Sequence, residues 1–195
     1  MSAVNSSLHP PDDGELLVRF AGGERSALEE LFCRYRVHAY RVAYRLLGNE
    51  ADALDAVQEG FVKALTHLTG FQGRSSFKTW LLRVVYNAAL DLGRQRGRRE
   101  MLSLDAGSGE QSHSGLLVSD EAGQGLEQAD LRQTLDAALA TLSDVQRQTF
   151  ALHADAELTY REISEVMGTS IGTVMSRLYY ARQKLRALLH EQTVP

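Results

Sequence analysis

Apolar residues recur at helical spacing over most of the chain, with polar residues on the opposite face of each run. The most regular run is 171–188, where the spacing of 3, 4, 3, 4 and 3 residues predicts one buried stripe along a helix. That stripe comprises Ile171, Val174, Leu178, Ala181, Leu185 and Leu188. Similar runs predict further helices over about 14–21, 24–47, 50–68, 76–99, 126–142 and 144–152. The pattern is that of an all-α protein.

Capping residues divide the region from Thr159 onward into a short helix and a long one. Thr159 and Glu162 have the spacing of a capping box, in which each side chain bonds the other residue's backbone amide. Gly168 can end the short helix in the left-handed conformation, and Ser170 can cap the long one. Two helices joined in this way predict a helix-turn-helix, whose second helix enters the DNA major groove.

The long helix is cationic on its polar face, and no acid occurs between Ile171 and His190. This charge favours DNA binding, although an ordinary helical hairpin with a solvated face is the alternative. We expect Thr173, Ser176 and Arg177 to face base edges. The remaining candidates, expected nearer the DNA backbone, are Tyr180, Arg182 and Lys184.

The segment 50–68 predicts a helix capped by Asn49, with a polar outer face. Gly60 within it costs about 1 kcal/mol relative to alanine, so other contacts must hold the segment. Its predicted buried stripe is Ala53, Val57, Phe61, Ala64 and Leu68, which leaves Asp52, Asp55, Gln58 and Glu59 outward. Taken by itself, this polar face is interpreted as solvent-exposed surface.

The following helix, capped by Ser75 or Ser76, mixes aromatic and cationic residues. Its predicted core side is Phe77, Leu81, Val84, Ala88 and Leu92, with Lys78, Thr79, Trp80, Arg83, Asn87, Asp91 and Arg94 interleaved. Rings among cations suit single-stranded nucleic acid, because bases stack on rings while phosphates pair with cations. A core tryptophan and a cationic helix end explain the same residues, so this segment alone leaves both interpretations open. In the predicted helix over 144–152, Val145, Thr149 and Leu152 are expected to point inward.

Composition qualifies the DNA-binding hypothesis. The 195 residues carry a formal net charge of −4, which implies weak DNA binding by the chain on its own. Charge is nevertheless segregated, since 74–99 contains seven basic residues and one acid, whereas 101–130 contains six acids and no Lys or Arg. The glycine- and serine-rich stretch 100–125 reads as a flexible linker.

No feature suggests chemistry or secretion. Cys33 is the single cysteine, and its spacing from His38 does not suit metal ligands, so we expect a buried thiol and no metal or cofactor. With neither a signal peptide nor a long apolar run, a cytoplasmic protein without membrane insertion is expected.

Taken in order, DALDAVQEGF, FQGRSSFKTWLLRVVYNAALD and TYREISEVMGTSIGTVMSRLYYARQKL resemble a bacterial RNA polymerase sigma factor of the extracytoplasmic-function (ECF) group, within the sigma-70 family. The resemblance covers about Asp12 to Leu189. It implies a tail over 1–11, a region 2-like lobe over 12–99, the linker over 100–125 and a region 4-like lobe over 126–190. The expected fold is therefore two small helical lobes joined by a flexible acidic linker.

The resemblance also implies roles for the polar surfaces. The face of Asp52, Asp55, Gln58 and Glu59 would grip the clamp helices of core RNA polymerase, the helix-turn-helix would read the minus-thirty-five element, and the flap would be a further polymerase contact. An anti-sigma factor is an expected partner. The minus-ten element of promoter DNA would be opened and captured by Phe71, Ser75, Lys78, Thr79, Trp80, Arg83, Asn87, Asp91 and Arg94.

Some positions depart from the family pattern. Met175 stands where lysine is common, Tyr179-Tyr180 where His-Arg is common, and Gly60 where threonine is frequent. Two alternatives are a helix-turn-helix regulator that binds duplex DNA as a dimer, and an adaptor that binds polymerase without reading DNA.

Overall fold

A computed structural model describes residues 10–105 and 137–191, and every regular element within those ranges is helical. The predicted all-α fold is confirmed. The predicted tail over 1–11, the linker beyond 105 and the first part of the 126–142 helix lie largely or wholly outside the described residues. The helices are α1 (Asp13–Ala21), α2 (Arg25–Leu47), α3 (Glu50–His67), α4 (Phe77–Asp105), α5 (Asp144–Ala154), α6 (Tyr160–Met167) and α7 (Ile171–Glu191), with a 3-10 turn at Leu68–Gly70 and a helical segment at 137–140.

Short-range hydrogen bonds set the helix boundaries that the sequence predicts. The backbone N–H of Thr159 donates to Glu162 Oε2 at 2.9 Å, and that of Glu162 donates to Thr159 Oγ1 at 3.3 Å, which forms the capping box of α6. Gly168 ends α6 with φ 61° and ψ 39°, a left-handed conformation that favours glycine. Ser170 Oγ accepts from the N–H of Thr173 at 3.1 Å and caps α7. The helix-turn-helix is thus built as predicted.

The chain divides into two compact units, Met1–Val37 and His38–Pro195, with the division inside α2. Within the first unit, Asp13 holds α1 to α2: Arg34 Nη1 donates to Asp13 Oδ1 at 2.8 Å and Tyr35 OH donates to Oδ2 at 2.6 Å. Burial raises the pKa of Tyr35 above its usual 10, and its bond to the carboxylate adds to the effect. These contacts fasten the short helix to the long one.

Within the second unit, α3 and α4 cross closely at Gly60. A Cβ built on Gly60 would lie 2.8 Å from Val85 Cγ2 and 2.9 Å from Val85 Cα. The glycine therefore allows a close approach of the two helices, which is the contact that offsets its low helix propensity. Ala53, Ala56 and Ala64 are buried on the same side of α3, so small residues line the crossing.

Helices on both sides of the predicted linker share one core in this unit. Leu82 and Val85 of α4 belong to the same buried cluster as Leu152 of α5 and Ile163 and Val166 of α6. Residues from the end of α2 and from α3 and α7 complete the cluster. The α4–α6 contact was not predicted, because nothing in local sequence specifies it.

Several side chains differ from the predicted burial. Val145 and Ile171, both expected inside, are 44% and 45% exposed. Cys33, expected to be buried, is exposed. On α3, Ala56 is fully buried while Val57 is half-buried, so the inner face is rotated toward the small residues that contact α4. Helix α4 continues past Arg99 to Asp105, into the stretch assigned to the linker.

Candidate nucleic-acid and polymerase interfaces

Helix α7 carries the predicted duplex-reading residues on its first turns. Ser176 and Tyr180 are exposed, and Thr173 and Arg177 are half-buried. The hydroxyls of Ser170 and Thr173 lie 2.8 Å apart, and Ser176 Oγ donates to the carbonyl of Thr173 at 3.0 Å. The start of α7 therefore presents small polar groups and one guanidinium.

The two cationic residues farther along α7 donate hydrogen bonds to residues outside that helix. Arg182 Nη1 donates to Tyr160 OH at 3.2 Å, and Lys184 Nζ donates to the carbonyl of Thr141. Lys184 remains exposed and Arg182 is half-buried. Their expected place near the DNA backbone stays a prediction.

Helix α7 also carries an exposed row of apolar residues that the sequence analysis does not identify as a surface feature. Ile171, Met175 and Tyr179 lie four residues apart on one side of the helix and are 45%, 53% and 63% exposed. The ring of Tyr179 meets that of Tyr180 edge-on, with centroids 5.4 Å apart. The sequence signal was present, because Met175 and Tyr179 fall outside the buried stripe, whereas Ile171 was assigned to it.

Three aromatic rings meet where the loop after α3 enters α4. The centroid of Trp80 lies 5.2 Å from that of Phe71 and 5.7 Å from that of Phe77. Phe77 is buried, whereas Phe71 and Trp80 are half-buried, and Ser75 in the loop is half-buried too. The ring of Trp80 thus joins an aromatic cluster and keeps an accessible edge, and its role in binding single strands stays a prediction.

Four predicted single-strand-binding residues form a row on α4. Arg83, Asn87, Asp91 and Arg94 are all exposed and recur every three or four residues, so they share one helix face. Arg94 Nη1 lies 3.3 Å from Asp91 Oδ1. This row extends from the aromatic cluster toward the end of α4.

The first turn of α4 is covered by carboxylates from the second half of the chain. Thr79 is only 1% exposed, and its Oγ1 donates to Glu162 Oε1 at 2.7 Å. Ser76, which caps α4 by accepting from the N–H of Thr79 at 3.1 Å, has its hydroxyl 3.4 Å from the same carboxylate. Lys78 Nζ lies 4.0 Å from Glu157 Oε2. The sequence analysis places Thr79 and Lys78 among the residues that bind single-stranded DNA, and it does not predict these contacts.

Hydrogen bonds determine the ionisation of Glu162. Partial burial acts to raise its pKa, but donors from Thr159, Thr79 and Ser76 stabilise the carboxylate and lower the pKa below the usual 4.5. Glu162 is therefore ionised at neutral pH while it serves two contacts at once, the capping box of α6 and the bond to α4.

The predicted polymerase-binding face lies on the outside of α3. Asp55, Gln58 and Glu59 are exposed. Asp52 is half-buried and paired with Arg96 of α4. The structure brings the first three together at the surface and places Asp52 at the α3–α4 boundary.

Three exposed apolar residues border this acidic face. Leu54 and Val62 are each 53% exposed and Leu65 is 49% exposed. Their positions fall outside the predicted stripe, which is the signal that could have identified them. Exposed apolar side chains beside polar ones are typical of protein-interaction sites.

A cleft of about 660 Å³ separates the end of α3 from the middle of α4. Glu59 and Lys63 line it from α3, and Asp91 and Arg94 line it from α4. The candidate polymerase face and the candidate single-strand row therefore adjoin each other at this cleft.

Within the described ranges, no group of three or more His, Cys, Asp or Glu residues is arranged to hold a metal ion. A search of the same ranges for a helix both long and apolar enough to cross a membrane found none.

Comparison with known proteins decides the family. Residues 31–99 match Sigma-70 region 2, and residues 132–185 match Sigma-70, region 4. The ECF RNA polymerase sigma-E factor of Escherichia coli K12 is 31% identical over 176 residues, which cover 89% of this chain and 92% of that protein. This chain belongs to the ECF sigma factors. The family inferred from the three sequence motifs is confirmed, and with it the role of directing RNA polymerase to promoters.

Other ECF sigma factors are similar over most of this chain. SigW of Bacillus subtilis is 28% identical over 172 residues, which cover 87% of this chain and 92% of that protein. SigE of Mycolicibacterium smegmatis is 33% identical over 173 residues, and these cover 65% of its longer chain.

Two solved structures share the fold. RpoE of Bartonella quintana, in complex with the anti-sigma factor NepR, superposes with a TM-score of 0.69 at 26% identity, over 84% of this chain and 96% of that one. CnrH, in complex with the cytosolic domain of CnrY, gives a TM-score of 0.67 at 25% identity, over 93% and 99%.

Proposed function

We propose that this ECF sigma factor uses three separate surfaces, one after another, during transcription initiation. The outer face of α3 binds the clamp helices of core RNA polymerase, α7 reads the minus-thirty-five element as duplex, and the segment from Phe71 to Arg94 opens and captures the minus-ten element. The observation that carries the proposal is that the two family regions present exposed residue sets of suitable chemistry on three helices: α3 and α4 in region 2, and α7 in region 4.

The chemistry of each DNA contact follows from its residue types. Arg177 can bond a guanine edge in the major groove, and Met175 and Tyr179 can contact thymine methyl groups. A base leaves its stack only where a pocket and a stacking surface compensate a few kcal/mol, and the Phe71–Trp80 cluster supplies rings for that purpose. Arg83 and Arg94 supply positive charge for the phosphates of the single strand beyond the captured base.

The remaining roles concern partners. We propose that the region 4 group also contacts the polymerase flap, and that an anti-sigma factor inhibits the chain, as the complex of the sigma factor RpoE with the anti-sigma factor NepR suggests. The chain would act in the cytoplasm, alongside polymerase and DNA, and would contribute no catalytic step or cofactor of its own.

Transcription with core polymerase tests the proposal. Templates randomised at the two promoter elements are transcribed with core polymerase in the presence and absence of the chain, and the transcripts are sequenced. We expect enrichment of one sequence at each element, with the fixed spacing of two contacts by one protein. Absence of chain-dependent transcripts would reject the proposal, and binding to a palindromic duplex without polymerase would favour a dimeric regulator.

A further inference from the structure

The exposed apolar row of α7 consists of Ile171, Met175 and Tyr179, on three successive turns of the helix. These side chains are 45%, 53% and 63% exposed and share one side of the helix. The row extends over about 12 Å of the helix axis, since each residue adds about 1.5 Å. Large apolar side chains that stay open to water on successive turns indicate a surface that meets a partner.

The charge on α7 favours DNA as that partner. The sequence from Ile171 to His190 contains four Lys or Arg residues and no acid, so the helix complements phosphate groups. Ile171 is the first residue of α7, and Met175 follows one turn later. The row therefore starts at the end of the recognition helix, which is the end that contacts base edges in the major groove.

Small residues beside the row permit a close approach to those base edges. Gly172 and Ser176 are exposed on the adjoining strip of the helix. A Cβ built on Gly172 would lie 3.8 Å from Ser170 Oγ, an ordinary contact distance, so the first turn is not crowded. The apolar side chains can thus reach past this strip into the groove.

The hydroxyl groups at the start of α7 are already hydrogen-bonded to their own helix. Ser170 Oγ and Thr173 Oγ1 lie 2.8 Å apart, and Ser176 Oγ donates to the Thr173 carbonyl at 3.0 Å. A base edge has to compete with these bonds, whereas the apolar row gains free energy simply by losing its contact with water. The row is therefore well suited to discriminate between bases.

The methyl group on C5 of thymine is an apolar feature of a base edge in the major groove. 5-Methylcytosine carries a methyl group at the same position of its ring. We propose that Ile171, Met175 and Tyr179 bind C5-methyl groups in the minus-thirty-five element, so that this chain prefers thymine and 5-methylcytosine to uracil and cytosine. This recognition rests on the proposed function and extends it, because it makes promoter use depend on base methylation. At about 3.4 Å per base pair, the row covers roughly three to four base pairs.

Removal of single methyl groups from the promoter gives the first test. In the minus-thirty-five element that this chain selects with core polymerase, each thymine of either strand is replaced in turn by deoxyuridine, which lacks only the methyl group. Transcription and holoenzyme binding to the same duplexes are measured. We expect at least two replacements, within roughly four base pairs, to lower both by about fourfold each, the effect of exposing one methyl group. A selected element without thymine, or full use of every uracil template, would overturn the proposal.

Variants of the chain assign the effect to the row. Met175→Ala combined with Tyr179→Ala should bind thymine and uracil duplexes equally, whereas Met175→Leu keeps an apolar side chain and should preserve the difference. The control is Val145→Ala, at an apolar position of α5 that is 44% exposed, and it should preserve the difference as well. If the double variant loses transcription but keeps the ratio between thymine and uracil templates, the row is a protein contact and the proposal is wrong.

Restoring a methyl group on cytosine gives the converse test. At a position where uracil lowers transcription, the T·A pair is replaced by C·G, with or without a methyl group on C5 of the cytosine. We expect the unmodified chain to use the methylated template about fourfold better, and the Met175→Ala, Tyr179→Ala chain to use both alike. Equal use of the two templates by the unmodified chain would exclude the methyl group as the feature that is read.

The two proposals fail separately. If the unmodified chain gives no transcripts with core polymerase, the proposed function is wrong. If it gives transcripts that do not depend on C5-methyl groups, only the methyl recognition is wrong.

Discussion

At the scale of single residues, Gly60 shows how one missing side chain determines a helix crossing. Alanine is favoured over glycine in a helix by about 1 kcal/mol, yet glycine stands in the middle of α3. Its absent Cβ would come within 2.9 Å of the backbone Cα of Val85, which cannot rotate away. The crossing of α3 and α4 therefore depends on this position.

We expect Gly60→Ala to lower the free energy of unfolding by about 1–2 kcal/mol, because overpacking outweighs the gain in helix propensity. Gly97→Ala is the matched control: Gly97 also lies in a helix, and a Cβ there meets nothing within 4 Å. The control should raise stability by about 0.5–1 kcal/mol. Urea denaturation of both variants measures the difference, and a stabilised Gly60→Ala chain would refute the close crossing.

Arg177 is the residue expected to discriminate bases. We predict that Arg177→Ala reduces the preference for the selected minus-thirty-five element over a mutated one by about 1–3 kcal/mol, if the guanidinium bonds a guanine. Arg186→Ala, which removes an exposed cation beyond the reading turns of the same helix, is the control and should affect both elements alike. Competition transcription on the two templates measures the ratio, and an unchanged ratio would remove Arg177 from the reading set.

At the scale of elements, the outer face of α3 is separable from its inner one. Its inner side is built from Ala53, Ala56 and Gly60, whereas Asp55 and Gln58 are exposed. Substitutions at exposed positions usually change stability by under about 0.5 kcal/mol. The face can therefore be altered without disturbing the fold.

We predict that Asp55→Lys combined with Gln58→Ala yields a folded chain that no longer binds core polymerase or supports transcription. Glu29→Lys, a charge reversal at an exposed position of α2, should retain both. Circular dichroism confirms folding, and co-elution with core polymerase measures binding. Should the double variant bind polymerase normally, this surface is not the clamp contact.

The carboxylate that joins α6 to α4 makes a pH-dependent contribution. The pKa of Glu162 is lowered in the folded chain, so its contribution to stability is present above the ordinary value of 4.5 and is lost as the pH falls through the lowered value. We expect Glu162→Gln to be less stable than the unmodified chain at neutral pH, with the difference shrinking below pH 4.5. Urea denaturation across the pH range measures this, and a difference that persists in acid would show that ionisation is irrelevant.

At the scale of the whole molecule, the shared core connects helices from both sides of the predicted linker. Ile163 of α6 and Val174 of α7 belong to the buried cluster that includes Leu82 and Val85 of α4. Loss of packing in one helix group should therefore destabilise the other group as well. Two lobes that were independent would unfold separately.

We predict that Ile163→Ala destabilises the chain by about 2–5 kcal/mol and accelerates hydrogen exchange in α4 as well as in α6. Ile171→Ala removes the same atoms from an exposed position and should change stability by less than about 0.5 kcal/mol. Hydrogen exchange followed by mass spectrometry resolves the two helices. Acceleration confined to α5, α6 and α7 would mean that the helix groups are only loosely associated.

Local signals in the sequence determined the helix-turn-helix and the capped starts of α3 and α5. The capping box of Thr159 and Glu162 and the left-handed turn at Gly168 depend on atoms within a few residues, so they could be predicted without knowledge of the fold. The order of three motifs was likewise enough to identify the family. Spacing also separated most of the exposed polar faces from the buried stripes.

Only the tertiary structure decided which neighbour each face meets. Gly60 is buried because α4 passes over it, and Thr79 is occupied because Glu162 reaches it from 83 residues away. Ile171 is exposed because no helix of the described ranges covers it. Helical periodicity specifies that a stripe will be buried, but a contact also depends on the partner helix and its crossing angle. Those depend on residues distant in sequence, which is why the covering of α4 became visible only in the folded chain.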